Sequence, residues 1–180
     1  RVKLRLSGTS PNILYFQDTR RFGRFLVAKN SDFSGIPTLY KLGPEPLSED
    51  FTADRLLEKL QSRVAIKTLL LNQRAVAGLG NIYVDETLWE VRIHPLTPGR
   101  AITKRQAQEL VSTVQRILKT AIESGGTTLR DYRTLTGNEG SFQGALRAYG
   151  RTGQPCPRCQ TAIEKIVVAQ RGTHSCPRCQ

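Results

Sequence analysis

Four cysteines are the residues best placed to do chemistry. Cys156, Cys159, Cys176 and Cys179 are the only cysteines in the 180-residue chain, spaced Cys-x2-Cys, sixteen residues, Cys-x2-Cys. Each pair can set two thiolates on a tight turn, and two such knuckles joined by a hairpin complete a tetrahedral Zn²⁺ site. Residues 163–169 and 172–175 are the expected hairpin arms. A segment of about 40 residues buries too little apolar surface to fold alone. A bound metal can supply roughly 10–16 kcal/mol of apparent binding energy instead. The competing reading, two disulfides, requires an oxidising compartment that nothing in the chain suggests. His174 lies beside Cys176, but four thiolates fill the site, which leaves it as a surface or phosphate-facing histidine. His94, followed by Pro95, reads as a loop residue rather than a catalytic base.

Arg147, Tyr149, Arg151, Arg158, Lys165, Arg171 and Arg178 surround the knuckles, against one acidic residue, Glu164, after position 141. Such arginines can simply solubilise a small ribbon; so one-sided a balance reads better as a nucleic-acid probe. Arg171 and Gly172 are expected near the hairpin tip, where glycine allows a tight turn and close approach to phosphate. A second anion site is suggested at Gly78-Leu79-Gly80-Asn81, an apolar turn that opens a helix. Free amides and partial positive charge at a helix start attract anions, although an ordinary glycine cap gives the same pattern. Asp85 and Glu86 resemble an acid pair, but carboxylates early in a helix usually complement its dipole.

The elements that must position these residues fall into three groups. Val2, Leu4 and Leu6 alternate with Lys3 and Arg5, the period of a half-buried strand. Residues 13–16 and 22–28 read as two further strands, together the last strands of a larger β domain. From about Leu47 the signals turn helical. Thr52 caps a helix through Gln61, a second helix spans 63–72, and a third spans 82–91. The longest starts at Thr103, where Gln106 completes a capping box, and Gly125-Gly126 stops it. Its stripe is Ala107, Leu110, Val111, Val114, Ile117, Leu118, Ala121 and Ile122.

Charge agrees with a polyanionic partner. The chain holds 27 Lys and Arg against 15 Asp and Glu, a net charge of +12 and a pI near 10.1. Residues 1–29 carry +6, 30–60 carry −3, 61–140 carry +4 and 141–180 carry +5. A generally basic solvated surface would give a similar total. Hydrophobic residues at 38% suit a folded domain rather than a disordered tail. No run approaches the roughly 20 apolar residues of a membrane span, and no signal-peptide pattern opens the chain.

Six motifs in collinear order resemble bacterial formamidopyrimidine-DNA glycosylases and, less closely, their sister branch, endonuclease VIII. They are Asp18-Thr19-Arg20-Arg21-Phe22-Gly23, Leu42-Gly43-Pro44-Glu45-Pro46-Leu47, Gly78-Leu79-Gly80-Asn81-Ile82-Tyr83, Gly125-Gly126-Thr127-Thr128, Tyr149-Gly150-Arg151, and Gln170-Arg171-Gly172-Thr173-His174 with the four cysteines. The resemblance implies an α+β architecture. Residues 1–45 would end an N-terminal β-sandwich, 46–141 would form a helix–two-turn–helix domain, and 142–180 a four-cysteine zinc ribbon with one structural Zn²⁺.

It also implies base-excision repair by a bifunctional glycosylase and AP lyase. Such an enzyme removes oxidised purines (8-oxoguanine, formamidopyrimidine) and cuts the strand by β,δ-elimination. The implied partner is double-stranded DNA with oxidised bases or abasic sites, met by a monomer on the nucleoid of a bacterial cytoplasm. Asn81, Tyr149 and Arg171 would grip phosphates flanking the lesion, and Arg171 would assist the final elimination as a catalytic residue. Arg20 and Arg21 precede a wedge, Phe22; Arg20 would hydrogen-bond the orphaned cytosine. Arg63 is a further DNA contact, and residues 127–137 resemble the loop that closes over the flipped base.

Two departures qualify the resemblance. The family's nucleophilic N-terminal proline, the glutamate beside it and a β-hairpin lysine have no counterparts in these 180 residues, and Thr19 stands where proline is usual. The span is therefore expected to bind DNA and zinc without turnover, as the C-terminal two thirds of the enzyme. The rival reading is a non-enzymatic zinc-ribbon module that binds nucleic acid as it stands.

Overall fold

The computed structural model describes residues 2–8, 10, 12–16, 18, 22–29, 32–127 and 140–180. Arg20, Arg21 and most of the loop expected to close over a base lie outside them. The chain divides into two compact units, residues 1–40 and 41–180.

In the first unit, β1 (Val2–Arg5) pairs antiparallel with β2 (Ile13–Phe16), Val2 opposite Phe16. The third strand expected at 22–28 is absent: these residues form no ladder, and Phe22 and Val27 are 80% and 87% exposed. Apolar alternation makes a strand only where a neighbour supplies hydrogen bonds, and among the described residues β1 and β2 pair only with each other. A short helix, α1 (Pro37–Tyr40), closes the unit.

The second unit is built on α2 (Ala53–Leu60), α3 (Ile66–Leu70), α4 (Asn81–Glu90) and α5 (Lys104–Glu123). The predicted caps are present. Thr52 accepts from the Arg55 amide, and Thr103 with Gln106 forms the full capping box. The apolar stripes of α2 and α5 meet in a core with Leu56, Leu60, Ile66, Leu70, Val84, Leu88, Leu110 and Val114. Helix α3 is shorter than the predicted 63–72. The glycine turn ahead of α4 needs its glycine: Gly78 sits at φ 72°, and its amide donates to Gln73 Oε1 at 2.7 Å. No helix among the described residues is long and apolar enough to cross a membrane.

The C-terminal hairpin pairs β3 (Glu164–Val168) with β4 (Arg171–Ser175). Val168 opposes Arg171, so the two-residue turn is Ala169-Gln170, both in the left-handed region at φ 49° and 58°. The expected arms, 163–169 and 172–175, leave 170–171 for the turn; it lies one residue earlier, Gly172 is in β4 beside the tip, and two residues with side chains carry the conformation a hairpin turn requires.

Candidate nucleic-acid interface

Helix α4 is the organising element. It does not follow an amphipathic pattern, because Val84 through Trp89 are all buried, including Asp85 and Glu86. Neither carboxylate lies in the first turn, so the expectation that they complement the helix dipole is corrected. Each instead holds one stretch of the chain leading into or through the ribbon.

Asp85 Oδ1 pairs with Lys67 Nζ at 2.5 Å, both side chains fully buried. Asp85 Oδ2 accepts the His174 amide at 2.9 Å and lies 3.3 Å from His174 Nδ1. Burial pushes the Asp85 carboxyl up and pulls the Lys67 ammonium down, while each partner's charge opposes that drift in the other. His174 is thus buried rather than a surface or phosphate-facing residue. Burial pulls its imidazole below the usual range against the pull of Asp85.

Glu86 accepts three consecutive amides: Arg147 at 2.8 Å on Oε2, and Ala148 at 2.9 Å and Tyr149 at 2.8 Å on Oε1. The segment before the ribbon is thereby tied to α4, and the half-buried Tyr149 ring meets His174 edge-on at 4.8 Å. At the other end of α4, Arg158 stacks on Trp89 at 3.8 Å and donates to the carbonyls of Trp89 and Glu90. Arg158 is therefore a packing and helix-capping residue, not one of the expected solvated probes.

These links bring the tip of the ribbon to the start of α4. Asn81 is the first residue of α4, and its Nδ2 donates to the Gly172 carbonyl at 2.9 Å. Lys67 Nζ reaches the same carbonyl at 3.4 Å. Gly80 at the cap position offers no side chain to the first-turn amides. Asn81 and Arg171 line one pocket of about 550 Å³ with Thr68, Gln73, Leu79 and Gly80. Open helix amides, a carboxamide and a guanidinium around one concavity form a site for an anion. Arg63 is exposed just ahead of α3, and Phe22 is exposed in the first unit.

The four cysteine sulfurs all lie within 4.8 Å of one another. Cys156 and Cys179 sulfurs are 3.9 Å apart and Cys159 and Cys176 3.4 Å, close to the edge of about 3.8 Å of a tetrahedron with 2.3 Å Zn–S bonds. Without a cation the thiols cannot all ionise together. Hydrogen bonds from Thr161 lower Cys159 to about 6, whereas the hydrogen bond with Cys159, followed by burial, pushes Cys179 up to about 12. The donor set fits one structural Zn²⁺. Trp89, Ala148 and Ile163 pack against Cys156 and Cys176, joining the metal site to α4.

Sequence reasoning missed Lys67, Gln73 and the tertiary roles of Asp85, Glu86, Trp89 and His174. The available signal was the Asp85-Glu86 pair set between Val84 and Trp89, polar residues in a stretch with no polar face.

Residues 42–133 match the family model "Formamidopyrimidine-DNA glycosylase H2TH domain", and residues 153–180 match "Zinc finger found in FPG and IleRS". The chain is 48% identical over 168 residues to the formamidopyrimidine-DNA glycosylase of Chloroflexus aurantiacus, covering 93% of the chain and 60% of that protein. It is 47% identical over 170 residues to that of Thermus thermophilus, covering 93% and 64%. The chain thus spans about 60% of the length of these relatives. Among solved structures, the MutM (Fpg) protein of Thermus thermophilus superposes with a TM-score of 0.89 at 43% identity, covering 99% of this chain and 72% of that one. A Lactococcus lactis Fpg mutant in complex with Fapy-dG containing DNA gives 0.76 at 45% identity, covering 83% and 56%.

Proposed function

Because this chain belongs to the formamidopyrimidine-DNA glycosylase family, we propose that it is the DNA- and zinc-binding part of a bifunctional glycosylase and AP lyase. The full-length enzyme removes oxidised purines such as 8-oxoguanine and formamidopyrimidine from double-stranded DNA and cuts the strand by β,δ-elimination. It acts on the nucleoid of a bacterial cytoplasm. The structural zinc stiffens the hairpin that presents Arg171, and the steps assigned to this span are binding and positioning.

The observation that carries this reading is the shared pocket of Asn81 and Arg171, tied together through the Gly172 carbonyl. A backbone phosphate next to the lesion fits there, gripped by the guanidinium, the carboxamide and the α4 amides. Tyr149 adds a contact from the segment fixed by Glu86, and Arg63 a peripheral one. These contacts orient the duplex without reading its sequence. Arg171 also acts in the elimination, at the phosphate it holds.

Extruding a base costs a few kcal/mol, least when the base is damaged or mispaired. A Phe22 wedge recovers roughly 1–3 kcal/mol by stacking. Arg20, beside Arg21, replaces the base hydrogen bonds lost on the opposite strand.

The test is binding to a duplex with a stable abasic analogue across a salt series. Asn81→Ala and Arg171→Ala should each weaken binding about tenfold or more, and Arg171→Ala should lower the log–log salt slope by about 1. Wild-type affinity and slope in both variants would refute the phosphate grip.

A further inference from the structure

The two knuckles repeat the same four residues, Cys156-Pro157-Arg158-Cys159 and Cys176-Pro177-Arg178-Cys179. Arg158 and Arg178 therefore hold equivalent positions, and their backbone amides hydrogen-bond to the Cys156 and Cys176 sulfurs. A third arginine arrives from α4: Arg92 follows the helix end in the left-handed region at φ 58°. These three arginines, with Cys159 and Cys179, line a pocket of about 420 Å³. It shares no residue with the pocket of Asn81 and Arg171.

The charges there are complementary. Zn²⁺ with four thiolates is a net dianion. Cys156 and Cys176 are buried, but Cys159 and Cys179 are partly open on this side. Arg158 is shared with Glu90, whose carboxylate lies 3.3 Å away and also pairs with Arg116. Among the described residues no carboxylate pairs with Arg92 or Arg178. Two guanidinium groups without a carboxylate partner thus face two partly open thiolates.

We propose that Arg92 and Arg178, with Arg158 packed behind them, form a cationic collar that offsets the dianionic metal–thiolate centre and slows loss of Zn²⁺ through its open side. A second duplex contact is the alternative use of three arginines. The collar is favoured because the pocket is lined only by the arginines and the thiolates they can neutralise. The attraction acts across this pocket at a partly exposed site and weakens as salt shortens the Debye length to about 3 Å at 1 M.

The test measures Zn²⁺ release from zinc-loaded protein into excess chromophoric chelator, with Lys119→Ala on exposed α5 as the control for net charge. Arg92→Ala/Arg178→Ala should release zinc about tenfold faster at low salt. The gap should narrow in high salt, and Arg178→Lys should retain most of the protection. Arg92→Ala alone, at an exposed position, should show a smaller acceleration in a protein with native circular dichroism. Duplex affinity should fall no more than loss of the same number of exposed cations elsewhere, gauged from Lys119→Ala, would lower it. Release rates equal to those of Lys119→Ala would overturn the proposal. Unchanged release with weakened DNA binding would overturn it too, by making the pocket a phosphate site.

Discussion

Lys67→Met offers the sharpest test of how α4 is joined to the ribbon. Methionine keeps most of the stem volume and removes the ammonium, leaving the fully buried Asp85 carboxyl without its 2.5 Å partner. Breaking a buried pair by removing one member costs about 3–5 kcal/mol, because the remaining charge is uncompensated. For a unit of this size that is a fall in Tm of roughly 10–15 °C. The deficit should depend on pH. Burial already raises Asp85 above the ordinary aspartate value, and losing Lys67 raises it further. A carboxyl with a raised folded pKa favours the folded state below the unfolded value and loses that contribution as pH rises through the folded one. The Lys67→Met deficit should therefore be largest at neutral pH and shrink as the solution is acidified towards the unfolded carboxyl's range. Lys67→Met/Asp85→Asn keeps an acceptor for the His174 amide without a charge, and should recover about 2 kcal/mol relative to Lys67→Met alone. The assay is urea unfolding followed by circular dichroism at saturating zinc, since metal linkage would otherwise move the midpoint. A deficit under about 1 kcal/mol at neutral pH, or one that does not vary with pH, would refute the reasoning.

Glu86→Gln removes the charge that accepts three amides and should cost about 1–3 kcal/mol; an unchanged urea midpoint would contradict the clamp on residues 147–149. Gln170→Gly relieves a left-handed residue in the hairpin turn and should stabilise the ribbon by up to about 1 kcal/mol, read as slower amide exchange in β3 and β4. Zinc removal should unfold the ribbon and expose the single tryptophan, Trp89, which packs on Cys156; emission that stays blue in chelator would count against a structural metal.

The parts of the fold legible in the sequence are those set by neighbours a few residues away. The capping box at Thr103, the α5 stripe apart from the exposed Ile122, the Thr52 cap and the Cys-x2-Cys spacing each depend on bonds or contacts within one or two turns, and each is present. The strand expected at 22–28 does not form, because strand formation depends on a distant partner. The expected arms put the hairpin turn at 170–171, but the β3–β4 register moves it to Ala169-Gln170. Helix α4 is the hardest to interpret. Its acidic pair suggests a surface feature, and only burial shows each carboxylate serving another segment of chain.

By itself, then, the chain of residues determined that a metal knuckle, a glycine-opened helix and an excess of basic charge are present. Side-chain type, spacing and net charge are properties of short stretches. Tertiary structure decided that the tip of the ribbon and the start of α4 line one pocket. Lys67 meets Asp85 across 18 positions, and Asn81 meets Gly172 across 91. Such contacts exist only once packing has excluded water, and it is that exclusion which makes a paired buried charge worth keeping and an unpaired one costly.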